Sequence, residues 1–137
     1  MEELHVLLKN RGKIRATEAQ DYVDAGGYEG LRKALAMSPE GIIEVVKKAG
    51  LRGRGGAGFP TFRKMEFTYH ADDPVRYIVC NADEGEPGTN KDRILLSSDP
   101  CAIFEGMAIA APAGDAHVGF IYLRAADSYL LLTLGTA

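Results

Sequence analysis

Two short stretches carry residue types from which a nucleotide site could be built. Gly53-Arg54-Gly55-Gly56-Ala57-Gly58-Phe59-Pro60-Thr61 places four glycines within six positions. Without Cβ atoms the main chain there can lie close to a ligand, and positive φ costs little. Cys80-Asn81-Ala82-Asp83-Glu84-Gly85-Glu86-Pro87-Gly88 puts one side-chain amide and three carboxylates into a segment whose Gly and Pro residues discourage a continuing helix or strand. A ligand with an anionic end and a polar, hydroxyl-rich end needs both kinds of surface.

The first stretch has basic neighbours. Arg52, Arg54, Arg63 and Lys64 surround the glycines, and residues 45–65 contain no acid. Phe59 and Phe67 add flat apolar faces beside that charge. Bare amides, cations and aromatic rings together suit a planar ring bearing a phosphate. A flexible linker is the plain alternative, although linkers seldom carry this set of side chains. Gly53, Gly55 and Gly58 match G-x-G-x-x-G literally, but the run follows a predicted helix and leads into Phe59-Pro60. A dinucleotide fingerprint follows a strand and opens a helix, and a phosphate-binding P-loop needs Gly-Lys-Ser/Thr, so neither applies.

Composition narrows the classes further. A net charge of −3 argues against a general nucleic-acid binder. Cys80 and Cys101 are the only cysteines and do not form C-x-x-C, so a zinc site or iron–sulfur cluster built from this chain alone is not expected. Both read as structural thiols in a reducing compartment. The longest apolar runs, near Met107–Ala113 and Leu130–Leu134, are far shorter than a membrane span, and no direct membrane insertion is expected. His5, His70 and His117 show no triad or metal spacing, so no catalytic acid, base or nucleophile and no metal ligand is assigned.

The elements that must position these residues follow from periodicity. A short, mildly helical segment is expected over Glu2–Lys9. Thr17 and Gln20 read as a capping box opening a helix to about Asp24, with Gly26-Gly27 ending it. Tyr28, Leu31 and Leu35 predict another helix to about Met37. Ser38 caps a third, with Pro39 at its first position, an apolar stripe of Ile42, Val45, Val46 and Ala49, and Gly50 as its stop. Val75–Cys80 reads as a strand that delivers the acidic loop. A helix is predicted from Asp99-Pro100 until Pro112 breaks it, and Val118–Leu123 reads as a second buried strand. Strand, loop, helix, strand predicts a βαβ unit with parallel strands. The fold class is therefore α/β, with N-terminal helices ahead of the βαβ unit. Ligands in such folds sit beyond the carboxyl ends of strands, where Asn81–Gly88 falls.

The run Leu51–Thr61 closely resembles the 51 kDa flavoprotein component of respiratory NADH dehydrogenase (complex I). It is equally similar to the diaphorase components of NAD-reducing hydrogenases and NAD-dependent formate dehydrogenases. Cys80–Thr89, Lys91-Asp92-Arg93, Asp99-Pro100, Glu105-Gly106-Met107 and Gly119–Arg124 extend the resemblance, which covers roughly residues 10–124. It implies an FMN site that accepts hydride from NADH and passes single electrons to iron–sulfur subunits of a larger complex. It implies a cytoplasmic setting, peripheral to a membrane complex in the respiratory branch. Within the motifs, Gly53, Gly55, Lys64, Asn81, Asp83 and Glu84 are the implied FMN contacts. Phe59, Phe67 and Glu86 are implied on the NADH side, and Arg54, Gly56, Ala57 and Gly58 complete the cofactor-binding loop.

The resemblance also implies a division into a helical segment 1–50, a partial FMN/NADH-binding α/β domain 51–124 and a divergent tail 125–137. The rest of the flavin domain, a ubiquitin-like domain and the four-cysteine domain for a 4Fe-4S cluster have no counterpart in this sequence. The chain is thus expected to be a fragment that holds FMN weakly alone. A non-catalytic nucleotide- or anion-binding module, or an assembly piece, is the alternative. Phe62 replaces a usual glycine, Met65 a tryptophan, Asn90 an aromatic residue and Cys101 a histidine.

Overall fold

A computed structural model describes residues 5–137. The predicted helix over Glu2–Lys9 lies partly outside the described residues, and its described part forms turns. The ordered elements are α1 (Ala19–Asp24), α2 (Glu29–Ala34), α3 (Pro39–Lys48), α4 (Thr61–Tyr69), β1 (Tyr77–Ala82), α5 (Lys91–Ser98), α6 (Pro100–Gly114), β2 (Val118–Leu123), a 3-10 turn (Ala125–Asp127) and α7 (Leu130–Thr136). The two strands pair in a parallel two-stranded sheet, the α/β arrangement expected from sequence. No single helix among the described residues is long and apolar enough to cross a membrane.

The chain divides into two compact units that do not follow chain order. The first comprises residues 5–29, 80–105 and 121–137, and the second residues 30–79 and 106–120. In the second unit Ala34, Ile42, Ile43 and Ala113 form a buried cluster, flanked by Phe62, Met65, Tyr69 and Ile109. Burying an Ile side chain stabilises by roughly 1.5–3 kcal/mol, so Ile42 and Ile43 dominate what α3 contributes. The buried face of α3 is shifted from the expected stripe: Val45 is exposed, and Ile43 takes its place. The Ser38 cap forms as expected, its Oγ accepting from the Gly41 amide at 3.1 Å.

Three local expectations are overruled. The capping box at Thr17 does not form. The helix starts at Ala19 without a side-chain cap, and Gln20 donates to Asp24 instead. Strand β1 begins two residues later than expected and includes Asn81 and Ala82. Pro112 lies inside α6, which continues to Gly114. So close to the helix end, the proline sacrifices one hydrogen bond while the fully buried Ala113 holds the last turn in place.

In the first unit Ala82, Leu96 and Leu130 form a second buried cluster, with Ile103, Ile121, Leu123 and Leu134 against it. Ahead of α1, Arg15 donates to Asp21 from its main-chain N–H and from its guanidinium at 3.0, 2.9 and 2.7 Å. The guanidinium hydrogen bonds, then the main-chain one, lower the Asp21 carboxyl from its ordinary 3.8 to about 2. The folded value lies below the unfolded one, so this pair stabilises fully above pH 3.8 and its contribution drains away as the pH falls toward 2. Asp21→Asn is expected to lower the thermal midpoint at neutral pH, and the deficit should shrink through that acid window when followed by scanning calorimetry. A deficit independent of pH would contradict the assignment.

Candidate functional site

The second unit carries the glycine-rich group. Leu51–Thr61 folds as a tight hairpin, with the Gly53 amide donating to the Phe59 carbonyl at 2.8 Å and the Thr61 amide to the Leu51 carbonyl at 3.0 Å. Arg52 reaches across it to the Gly58 carbonyl at 2.9 Å. At the tip, Gly56 and Gly58 have φ of +113° and +60°, the left-handed region that disfavours other residues. A Cβ added at Gly55, Gly56 or Gly58 meets nothing within 4 Å. The protein's own packing therefore does not require these positions to be bare, and the exposed tip leaves main-chain amides open to solvent.

Helix α4 follows the hairpin directly, an element that the residue pattern left unassigned. Phe62, Met65 and Tyr69, at i, i+3 and i+7, were the available signal, and all three pack on the cluster around Ile42 and Ile43. Phe62 also receives Lys47 and Arg63 over its ring, at 5.5 and 6.0 Å from the centroid. The phenylalanine that replaces glycine here is thus occupied by the α3–α4 contact. Lys64 lies on another side of the helix, exposed, beside an open groove of about 270 Å³ lined also by Thr61, Met65, Thr68, Ile78 and Val79. Phe59 and Phe67 are exposed, with ring centroids 6.5 Å apart and planes tilted by 45°. Such rings can receive a flat ligand face.

The first unit carries the acidic group. Asn81 is the penultimate residue of β1, and its Oδ1 accepts the Asp83 amide at 3.1 Å, forming an Asx turn. Asn81, Asp83 and Glu86 are exposed, whereas Glu84 is 2% exposed. The Glu84 carboxylate accepts the main-chain amides of Asp92 and Arg93 at 2.9 and 3.2 Å. Lys91 Nζ lies 4.0 Å from it. Burial works against the charged form, but the two amides, Lys91 and Arg93 outweigh it and hold the carboxyl below its ordinary value. The Glu84 carbonyl accepts from Arg93 and from Arg124, both at 3.1 Å. Arg93 Nε in turn approaches Asp127 Oδ1 at 2.9 Å, a charge contact whose geometry is off the hydrogen-bond line.

The structure thus gathers Gly53, Arg54, Gly55, Gly56, Ala57, Gly58, Phe59, Lys64 and Phe67 in one unit and Asn81, Asp83, Glu84 and Glu86 in the other. Arg93, Arg124 and Asp127 had no assigned role in the residue pattern. Lys91-Asp92-Arg93 and Arg124 belong to the motifs that carried the resemblance, which was the only signal for them.

The family described as the Nuo51 FMN-binding domain matches residues 46–134, a span containing both groups. An Aquifex aeolicus subunit of NADH-quinone oxidoreductase is 50% identical over 121 residues, which cover 88% of this chain and 28% of that protein. The alpha subunit of the NAD-reducing hydrogenase HoxS of Cupriavidus necator is 48% identical over 100 residues, covering 73% and 17% respectively. A crystal structure of an NAD+-reducing NiFe-hydrogenase in the air-oxidized state aligns with a TM-score of 0.69 and 52% identity, over 72% of this chain and 17% of that one. The chain spans between 17% and 28% of the length of these relatives.

Proposed function

Because this chain belongs to the Nuo51 FMN-binding domain family, we propose that it binds FMN and presents it to NADH, as part of a flavoprotein serving iron–sulfur partners. The observation that carries this reading is the family match over residues 46–134, which includes the glycine hairpin and the acidic loop together. The residues fit such a cofactor. The hairpin tip has room on the side where a Cβ would stand, and Lys64 is exposed beside an open groove. Bound FMN supplies the conversion between two-electron donors and one-electron acceptors.

The chain's own residues bind and orient. The amides at Gly55 and Gly56, with Arg54 and Lys64, are suited to the phosphate, because preorganised N–H groups and cations stabilise an anion at little reorganisation cost. Asn81 and Asp83 are suited to ribityl hydroxyls and polar ring edges, since a carboxylate close to the phosphate would repel it. Phe59 and Phe67 offer stacking faces, and Glu86 a hydrogen-bond acceptor, to the nicotinamide nucleotide. Hydride transfer needs no side-chain acid or base, so the protein's part is to hold two rings in register. The relatives are named as subunits of NADH-quinone oxidoreductase and of hydrogenases, and we assign this chain an equivalent place in a multi-subunit oxidoreductase on the cytoplasmic side.

The test is titration of the purified chain into FMN, followed by flavin fluorescence and then by anaerobic NADH addition. Quenching that saturates at one FMN per chain, with a Kd on the order of 10 μM, is the expected result, with bleaching of bound flavin by NADH. Absence of quenching up to millimolar protein would refute the reading. Binding without bleaching would reduce the chain to a non-catalytic module.

A further inference from the structure

We infer that the turns ahead of α1 hold a second anion site, built from Lys9, Arg11 and Lys13 and suited to a small oxyanion of the pyrophosphate class. It lies within the first unit and shares no residue with the glycine hairpin or the acidic loop.

The sequence supplies the charge. Residues 5–17 contain four cations, Lys9, Arg11, Lys13 and Arg15, and no acid, in a chain of net charge −3. Such a run is ordinarily a solvated face. The fold treats its members unequally. Arg15 is neutralised by Asp21 at 2.7 Å. Lys9, Arg11 and Lys13 have no ion pair and no side-chain hydrogen bond among the described residues. Together with His5 and Leu8 they line one open concavity of about 200 Å³.

The chain cannot spread these charges apart. Asn10, 6% exposed, donates from its side chain to Asp99 Oδ2 at 2.7 Å, and Asp99 Oδ1 accepts the Ala102 amide in the first turn of α6. The Asn10 carbonyl accepts the amides of Lys13 and Ile14 at 2.9 and 3.3 Å, and the Arg11 amide donates to the Leu8 carbonyl at 3.1 Å. Gly12, at φ +73°, completes the reversal. A buried asparagine thus sits among the cations and fixes the turn that carries them.

The chemistry of the ligand follows. No carboxylate relieves the mutual repulsion of the three cations, and a concave surface of one sign concentrates its field on whatever enters. An oxyanion removes that repulsion, and Arg11 offers a planar fork that can pair two oxygens at once. One phosphate group carries about −1.5 to −2 at neutral pH, less than three cations balance, so two linked phosphates fit better than one. Because the turn is already held, little ordering is left for the ligand to impose.

The test titrates inorganic pyrophosphate, and separately inorganic phosphate, into the FMN-free chain and follows amide chemical shifts. Pyrophosphate is expected to move the resonances of residues 8–14 with a Kd on the order of 100 μM, about tenfold tighter than phosphate. Raising the salt to roughly 0.2 M should weaken it several-fold. The double variant Lys9→Gln/Lys13→Gln should keep the parent's melting temperature and lose about tenfold or more in pyrophosphate affinity. Its FMN titration should match the parent's, so the outcome stands apart from the flavin reading. Equal pyrophosphate affinity in parent and double variant would overturn the inference. So would parent shifts confined to the glycine hairpin, or shifts at residues 8–14 that sodium chloride reproduces at matched ionic strength, the cluster then being a solvated face.

Discussion

Replacing Gly55 with valine is expected to leave the thermal midpoint of the FMN-free protein where it is and to weaken FMN binding by about two orders of magnitude. The first half follows from the hairpin geometry. A Cβ at Gly55 meets no atom within 4 Å and the residue does not sit at positive φ, so neither packing nor backbone strain opposes the change. Exposed substitutions of this kind stay within about 0.5 kcal/mol of neutral. The second half follows from what the bare tip is for. If main-chain amides contact the phosphate, two methyl groups on the same surface block the approach, at a cost of about 3 kcal/mol in binding. Gly58→Val makes an instructive contrast, because φ there is +60° and strain of roughly 1–2 kcal/mol should appear in the FMN-free protein as well. Fluorescence titration beside thermal denaturation separates the two. Unchanged affinity in Gly55→Val would remove the physical reason for placing a phosphate at the hairpin.

Leu130→Ala is expected to destabilise the protein by about 3 kcal/mol, which for a chain of this size lowers the melting temperature by roughly 10 °C. Leu130 is 1% exposed and packs with Ala82 and Leu96 in the core of its unit. Truncation leaves a cavity that the surrounding side chains can only partly fill. Leu132, two residues along the same helix, is 75% exposed, and Leu132→Ala should change stability by no more than about 0.5 kcal/mol. The comparison tests whether residues 125–137 belong to the folded unit. Equal melting curves for the two variants would show that the tail contributes nothing to the core.

Much of the architecture was legible from local pattern. Val118–Leu123 is a run of strand formers broken only by Gly119 and bounded by polar and charged residues, and β2 has those limits, but it is not the buried strand expected, since Val118, Phe120 and Tyr122 are exposed. Ser38-Pro39 announces the start of α3 because a cap and a first-turn proline act within four residues of each other. Three helices were not legible, α4, α5 and α7, the last lying in the segment set apart as a divergent tail. In α4 the apolar residues are interleaved with Arg63, Lys64 and Glu66, and in α5 no side chain of the helix or its flank caps the start. What stabilises α5 is Glu84, across a loop from it, and no periodicity within the segment reports that. Pro112 misled for the opposite reason: two residues before the end of α6 it removes only one hydrogen bond, and the fully buried Ala113 anchors the last turn.

The candidate site divides along the same line. Glycines at a hairpin tip, cations beside them and carboxylates in a Gly/Pro loop are chemical facts of a few consecutive residues, so the order of the chain was enough to single out a candidate nucleotide-cofactor surface. Which carboxylate faces outward was beyond it. Asp83 and Glu84 are adjacent and chemically alike, yet one is exposed and the other is buried at the start of α5, with Arg124 arriving from 40 residues away. The free energy of exposing or burying a charge depends on segments that meet only in the folded state, and so which of these neighbours faces solvent belongs to the tertiary structure.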